Sequence, residues 1–140
     1  MRKFILSALS FILIVGILYS CKNEQELAFG RYFANGKILY ENHCQNCHSK
    51  DGKGLGLLIP PLTDTTFLKE TKKELGCFIR YGLTREIKIS GKIYNENMPA
   101  DDHLSDMEIA QIIVYVTNSF GNNQGFYNVL EASTDLKNCK

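Results

Sequence analysis

Apolar positions along the chain form one continuous run and three stretches of helical period. The run comes first: from Phe4 to Tyr19 it is broken only by serines and Gly16, and Arg2 and Lys3 precede it. A basic start followed by an apolar core this short predicts an export signal rather than a comfortable membrane span. The first periodic stretch carries Ile38, Leu39 and Tyr40 towards Cys44, with Asn35 placed to cap a helix. A second opens at Thr71 with Glu74 three residues later, a capping box, and continues through Leu75, Phe78 and Ile79 until Gly82. The third begins with another capping box, Ser105 and Glu108. Ile109, Ile112, Ile113, Val116 and Phe120 then recur at i, i+3, i+4, i+7 and i+11, an apolar stripe on one face that Gly121 ends. No stretch alternates with period two for long enough to suggest a sheet, so the expected class is all-α.

Between these elements the glycines of "SKDGKGLGLLIPP" predict a loop. A phosphate-cradling reading of that loop is a weak match, because no strand precedes it and no helix follows. Past Gly121, Asn122, Asn123 and Gly125 mark a turn, and Phe126, Tyr127, Val129 and Leu130 offer a short apolar patch that would fold back on the body. With Arg2 and Lys3 set aside, 14 basic side chains face 15 acidic ones, a balance that gives a nucleic-acid role no support. Lys69, Lys72, Lys73, Arg80, Arg85 and Lys88 gather in one region, against Asp101, Asp102, Asp106 and Glu108 in another. Such a dipole can orient a docking partner, and the plainer reading is two solvated faces.

The end of the leading segment, Leu18-Tyr19-Ser20-Cys21, resembles a bacterial lipoprotein box, with Tyr19 bulkier than the usual occupant. The resemblance implies cleavage before Cys21 and lipidation of its thiol; a retained anchor helix is the alternative. Either way the domain is expected outside the inner membrane, facing the periplasm and tethered to a bilayer. The expected organisation is a signal over 1–20, a tether over 21–32, a domain over 33–121 and an extension over 122–140. Of five cysteines, Cys21 goes to lipid and Cys44 with Cys47 to the motif discussed next, which leaves Cys77 and Cys139 as a candidate disulfide.

"CQNCH", Cys44 to His48, could hold zinc, exchange disulfides or carry a haem. Two thiols on one helical turn can each add to a porphyrin vinyl group, and the next histidine then sits under the ring. Zinc would need further ligands at recognisable spacing, and a thioredoxin-like pair would follow a strand in a βαβ pattern. Beyond the motif, the chain resembles a class I monohaem cytochrome c. Gly36 and Tyr40 match that family's N-terminal helix where the C-terminal helix crosses it, and Tyr115 matches an aromatic at the same crossing. "LLIPPLTD" resembles its proline-x-leucine segment, and "NMPA" its distal loop.

The resemblance implies a cytochrome c fold, with three main helices and a short connecting one wrapped around one covalent haem c. Cys44 and Cys47 would be the thioether positions and His48 the proximal ligand. The Pro60 carbonyl, or that of Pro61, would orient the imidazole, and Leu62 would pack on the ring. Met98 would be the distal ligand, with a packed turn methionine or His103 as rivals; Pro99 keeps Met98 extended. The implied function is non-catalytic electron transfer with membrane-bound reductases or oxidases as partners. The alternative is an electron-transfer subunit of an oxidoreductase complex.

Overall fold

A computed structural model describes residues 2–139, without the side chains of residues 2–10, 14 and 16–23. The expected lipidation of Cys21 therefore falls outside the described side chains. Among the described residues no helix is long and apolar enough to cross a membrane. The chain divides into two compact units, Met1–Arg31 and Tyr32–Lys140.

The elements in order are α1 (Arg2–His43), α2 (Gln45–His48), α3 (Thr65–Glu70), α4 (Leu75–Tyr81), β1 (Ile87–Ile89), β2 (Lys92–Tyr94), α5 (Asp106–Thr117) and α6 (Val129–Leu136). Two expected helix starts are corrected. Asn35 caps nothing, because it lies inside α1. An internal asparagine costs a helix only about 0.7 kcal/mol or less, and no proline precedes it to stop one. Thr71 closes α3 instead of opening α4: its hydroxyl donates to Phe67 O at 2.7 Å, and Glu74 precedes α4 with no side-chain cap. The cap that does form there is Asp64, which accepts from the Phe67 N–H at 2.8 Å.

At α5 the local signal and the structure agree, since Ser105 and Glu108 satisfy each other's backbone N–H groups as a capping box. From Ile109 to Thr117 every residue of this helix except the half-buried Gln111 is buried, so it is the centre of the core rather than a one-sided lid. It ends earlier than expected. Thr117 and Asn118 close it, and Phe120 and Gly121 take positive φ of 58° and 93°. The Phe120 ring nevertheless stays in the aromatic cluster, 5.4 Å from Tyr40 and 5.7 Å from Tyr115. Within the second unit, α1 crosses α5 at Gly36, where an added Cβ would stand 2.0 Å from Gln111 O.

The C-terminal extension folds as α6, started by a capping box of Asn128 and Glu131. Ala132 is fully buried, Leu136 lies against Gly76 of α4, and Cys139 is disulfide-bonded to Cys77. The strictly all-α expectation is corrected by β1 and β2, an antiparallel hairpin pairing Ile87 with Tyr94 and Ile89 with Lys92. "IKISGKIY" carries the signal: apolar residues two apart flank a Ser90-Gly91 turn with φ of 48° and 79°. Ile87, Ile89 and Tyr94 form their own buried cluster with Phe67 and Leu83 against it.

Candidate functional site

The motif occupies α2 and its N-cap Cys44, the single turn that follows α1. Cys44 O accepts from the N–H groups of Cys47 and His48 at 3.1 and 2.9 Å, so the three side chains at i, i+3 and i+4 share a face. Ser49, with φ of 67°, stops the helix, and its carbonyl receives the buried Tyr40 hydroxyl at 2.6 Å.

The chain then loops back beneath the histidine. His48 Nδ1 lies 3.2 Å from Pro60 O. A carbonyl only accepts, so the proton sits on Nδ1 and Nε2 keeps its lone pair. Burial holds the imidazole pKa below its usual value against the opposing pull of this bond, which keeps the ring neutral near pH 7. Pro60, and not Pro61, supplies the acceptor. Gly54 makes the approach possible: with φ of +67° it donates to His48 O, and a Cβ there would lie 2.2 Å from Ile59 O and 2.7 Å from Pro60 O.

Met98 lines the same cavity as His48. Its N–H and C=O exchange hydrogen bonds with Leu83 at 3.0 and 2.9 Å, an isolated antiparallel bridge just past α4. Gly82, with φ of +77°, lets the bridge close, because a Cβ would come within 2.6 Å of Met98 O. The loop is tied further by Asp101, whose N–H donates to Ile79 O at 2.9 Å and whose carboxylate accepts from His43 Nδ1 at 2.8 Å.

Between the two sides lies a cavity of about 660 Å³ including its mouth. Cys44, His48, Pro60, Pro61, Leu62 and Met98 all line it, and two adjoining cavities share His48 and Met98 and add Cys47. The remaining walls are apolar: Phe67 and Leu68 of α3, Leu75, Phe78 and Ile79 of α4, Ile112 and Val116 of α5, and Ile87 and Ile89 of the hairpin. Sequence reasoning picked the α4 and α5 residues as apolar helix faces and missed the walls from α3 and the hairpin. One imidazole lone pair, one thioether and a water-excluding wall suit a flat, largely apolar metal complex such as haem.

The thiols and the rival ligands behave differently. Burial, then Asp101 and Cys47, push the Cys44 thiol up to about 12, so it stays protonated. Thiol exchange works through a thiolate with a lowered pKa, the opposite trend. His103 is exposed, with its Nε2 3.7 Å from Asp102, and Met107 is exposed in the first turn of α5. Cys77 and Cys139 line a separate surface cleft that shares only Phe78 and Leu83 with the main cavity.

The expected basic patch is partly spent within the molecule. Arg80 pairs with Asp106 at 2.8 Å, Arg85 with Glu74 at 2.9 Å, and Lys72 donates to Gln124 O. Arg80 thus joins the basic cluster to the acidic one and binds α4 to α5, which weakens the separation of charge that the sequence suggested.

Against known families, residues 32–116 fit the model described as cytochrome C oxidase, cbb3-type, subunit III. No curated protein matches the chain.

Proposed function

Because the chain belongs to the cytochrome c oxidase, cbb3-type, subunit III family, we propose that it carries one haem c held by Cys44 and Cys47, ligated by His48 and Met98, as a membrane-tethered electron carrier. A c-type cytochrome domain acting in electron transfer, with haem c as its cofactor, follows from the family. The finer reading is carried by the pairing of His48 and Met98 on one apolar cavity, with Nδ1 of the imidazole committed to Pro60.

When bound, the haem supplies an iron that gains or loses one electron. Everything else falls to the chain. Cys44 and Cys47 would fix the group covalently at the rim. The Pro60 carbonyl holds the imidazole in one tautomer and raises its basicity. The Met98 thioether, a soft ligand, would favour the reduced state, and the apolar walls would keep water from the iron. With His48 and Met98 both held by the chain as ligands to the iron, no place would be left for a substrate, which would make the domain a carrier rather than a catalyst. Lipidated Cys21, after removal of residues 1–20, would hold it at the periplasmic face of a membrane, with 21–32 as tether and 33–121 as the domain proper.

The test is spectroscopic. The purified protein should retain haem on denaturation, lose that retention when Cys44 and Cys47 are both replaced by alanine, and bind carbon monoxide slowly when reduced. Met98→Ala should abolish the methionine-to-iron absorption of the oxidised form and speed carbon monoxide binding. Survival of that absorption in the variant, or rapid binding by the wild type, refutes the ligand assignment. The mass of the mature N-terminus tests the anchor, and an unprocessed Met1 or an unmodified Cys21 refutes it.

The family's description favours a second reading, in which the domain is the electron-transfer subunit of an oxidase complex. Purification of the untagged protein from its native membrane separates the two: a stoichiometric partner assigns it to a complex, a free monomer to the carrier.

A further inference from the structure

The loop that orients His48 is gripped from outside the part of the chain that matches the family. Its two legs meet where the Leu62 N–H donates to Gly52 O at 2.7 Å, closing residues 52–62 into a ring that carries Pro60 two residues before the closing bond. Both members of that closing pair are held by the segment just after α5. Gly52 lies directly under the Phe120 ring, where a Cβ would come 2.6 Å from the ring carbon Cγ. Leu62 O accepts from Asn122 Nδ2 at 2.8 Å, and the same nitrogen reaches Ser119 O at 2.9 Å and Val116 O at 3.1 Å.

Asn122 is costly where it stands. It is only 6% exposed, and its Oδ1 has no partner among the described residues. An apolar side chain would avoid that orphan acceptor, so burial alone does not account for an amide here; what the residue supplies is a donor facing three carbonyls. The segment is itself braced. Asn118 accepts from the N–H groups of Gln124 and Gly125 and donates to Val114 O and Gly125 O, which fixes the turn holding Phe120 and Asn122.

We infer that Phe120 and Asn122 are positioning residues that set the His48–Pro60 hydrogen bond by clamping the base of the 52–62 loop. The inference rests on the reading of His48 as proximal ligand. Its consequence is electronic. An imidazole that donates strongly through Nδ1 is a better electron donor through Nε2 and stabilises the oxidised iron. Releasing the clamp lets Pro60 O drift, weakens that donation and shifts the midpoint potential to more positive values.

The test uses the haem-loaded full chain. Asn122→Ala should shift the midpoint potential positive and move the His48 Nδ1–H proton resonance of the reduced protein upfield, with the optical spectrum still six-coordinate. Asn128→Ala, which removes the α6 cap and leaves the 52–62 loop untouched, should lower stability without either change. An Asn122→Ala protein with unaltered potential and resonance overturns the inference, as does an Asn128→Ala protein that shows the same shifts. If the variant fails to fold, the wild type still decides: the Asn122 side-chain amide protons should exchange many-fold more slowly than those of Asn123, and equal rates overturn the clamp. A wild type without covalently held haem or without His48 ligation refutes the underlying site reading instead, and the spectrum separates that outcome from failure of the clamp.

Discussion

Gly36→Ala sets two effects of opposite sign against each other. Glycine inside a helix is about 1 kcal/mol worse than alanine, so the substitution should stabilise α1 locally by about that much. Against this, the new Cβ would lie 2.0 Å from Gln111 O and 2.9 Å from the Cβ of Tyr115. Backbone atoms of a buried helix are not free to swing aside. Restoring ordinary contact near 3.4 Å means moving the two helices apart by more than an ångström at the crossing. The aromatic cluster would open with it, since Tyr40 and Tyr115 sit 5.3 Å apart and Phe33 lies 5.2 Å from Tyr115 across the same interface. A gap of 0.5–1 Å forfeits a quarter to a half of each dispersion contact, and overpacking a core costs about 1–3 kcal/mol.

Because this weakened aromatic packing adds to the strain, the crossing should win and the variant be about 1–3 kcal/mol less stable. Urea unfolding of the haem-loaded protein measures it, with Gly30→Ala as the control. Gly30 is also inside α1, but an added Cβ there meets nothing within 4 Å, so only the propensity gain should remain. A Gly36→Ala protein as stable as Gly30→Ala, or more stable than wild type, would show that the crossing is not tight and refute the reasoning.

Replacing Cys77 and Cys139 together by serine releases a closed loop of 62-residue separation and should cost about 4 kcal/mol by loop-closure entropy, read as a drop in the urea midpoint. A loss under about 1 kcal/mol would mean that α6 docks as firmly without the bond. Asp64→Ala removes the α3 cap and should cost about 1 kcal/mol at pH 7. The Phe67 N–H and the Ser90 hydroxyl hold the Asp64 carboxyl below the usual carboxylate range, so its stabilisation is complete above the unfolded value near 4 and fades as pH falls through the folded one. The difference between wild type and variant should therefore narrow below about pH 4, and a pH-independent difference would rule out the charged cap.

What could be read in the sequence was what lies within a few residues of itself. The spacing of Cys44, Cys47 and His48 is local because residues at i, i+3 and i+4 share one helical turn. The Ser105–Glu108 box formed because its partners are three residues apart and need nothing else. Asn35 and Thr71 carried equally good local signals and were overruled, Asn35 by the helix already running through it and Thr71 by the end of α3, where its hydroxyl donates to Phe67 O. The hairpin was legible in "IKISGKIY" but too short to stand out against helical stretches on either side.

The sequence by itself determined the Cys-x-x-Cys-His motif, the central helix with its capping box, and the proline and glycine positions where the backbone must turn. Only the tertiary structure decided that Pro60 rather than Pro61 faces His48, that Ile87 and Ile89 wall the cavity, and that Asn122 reaches back to Leu62. The reason is range: these depend on groups 12 to 60 positions apart meeting in space, as the separations of the His48–Pro60 and Asn122–Leu62 bonds show. Such meetings are fixed by how the whole core closes, which no short window of sequence contains.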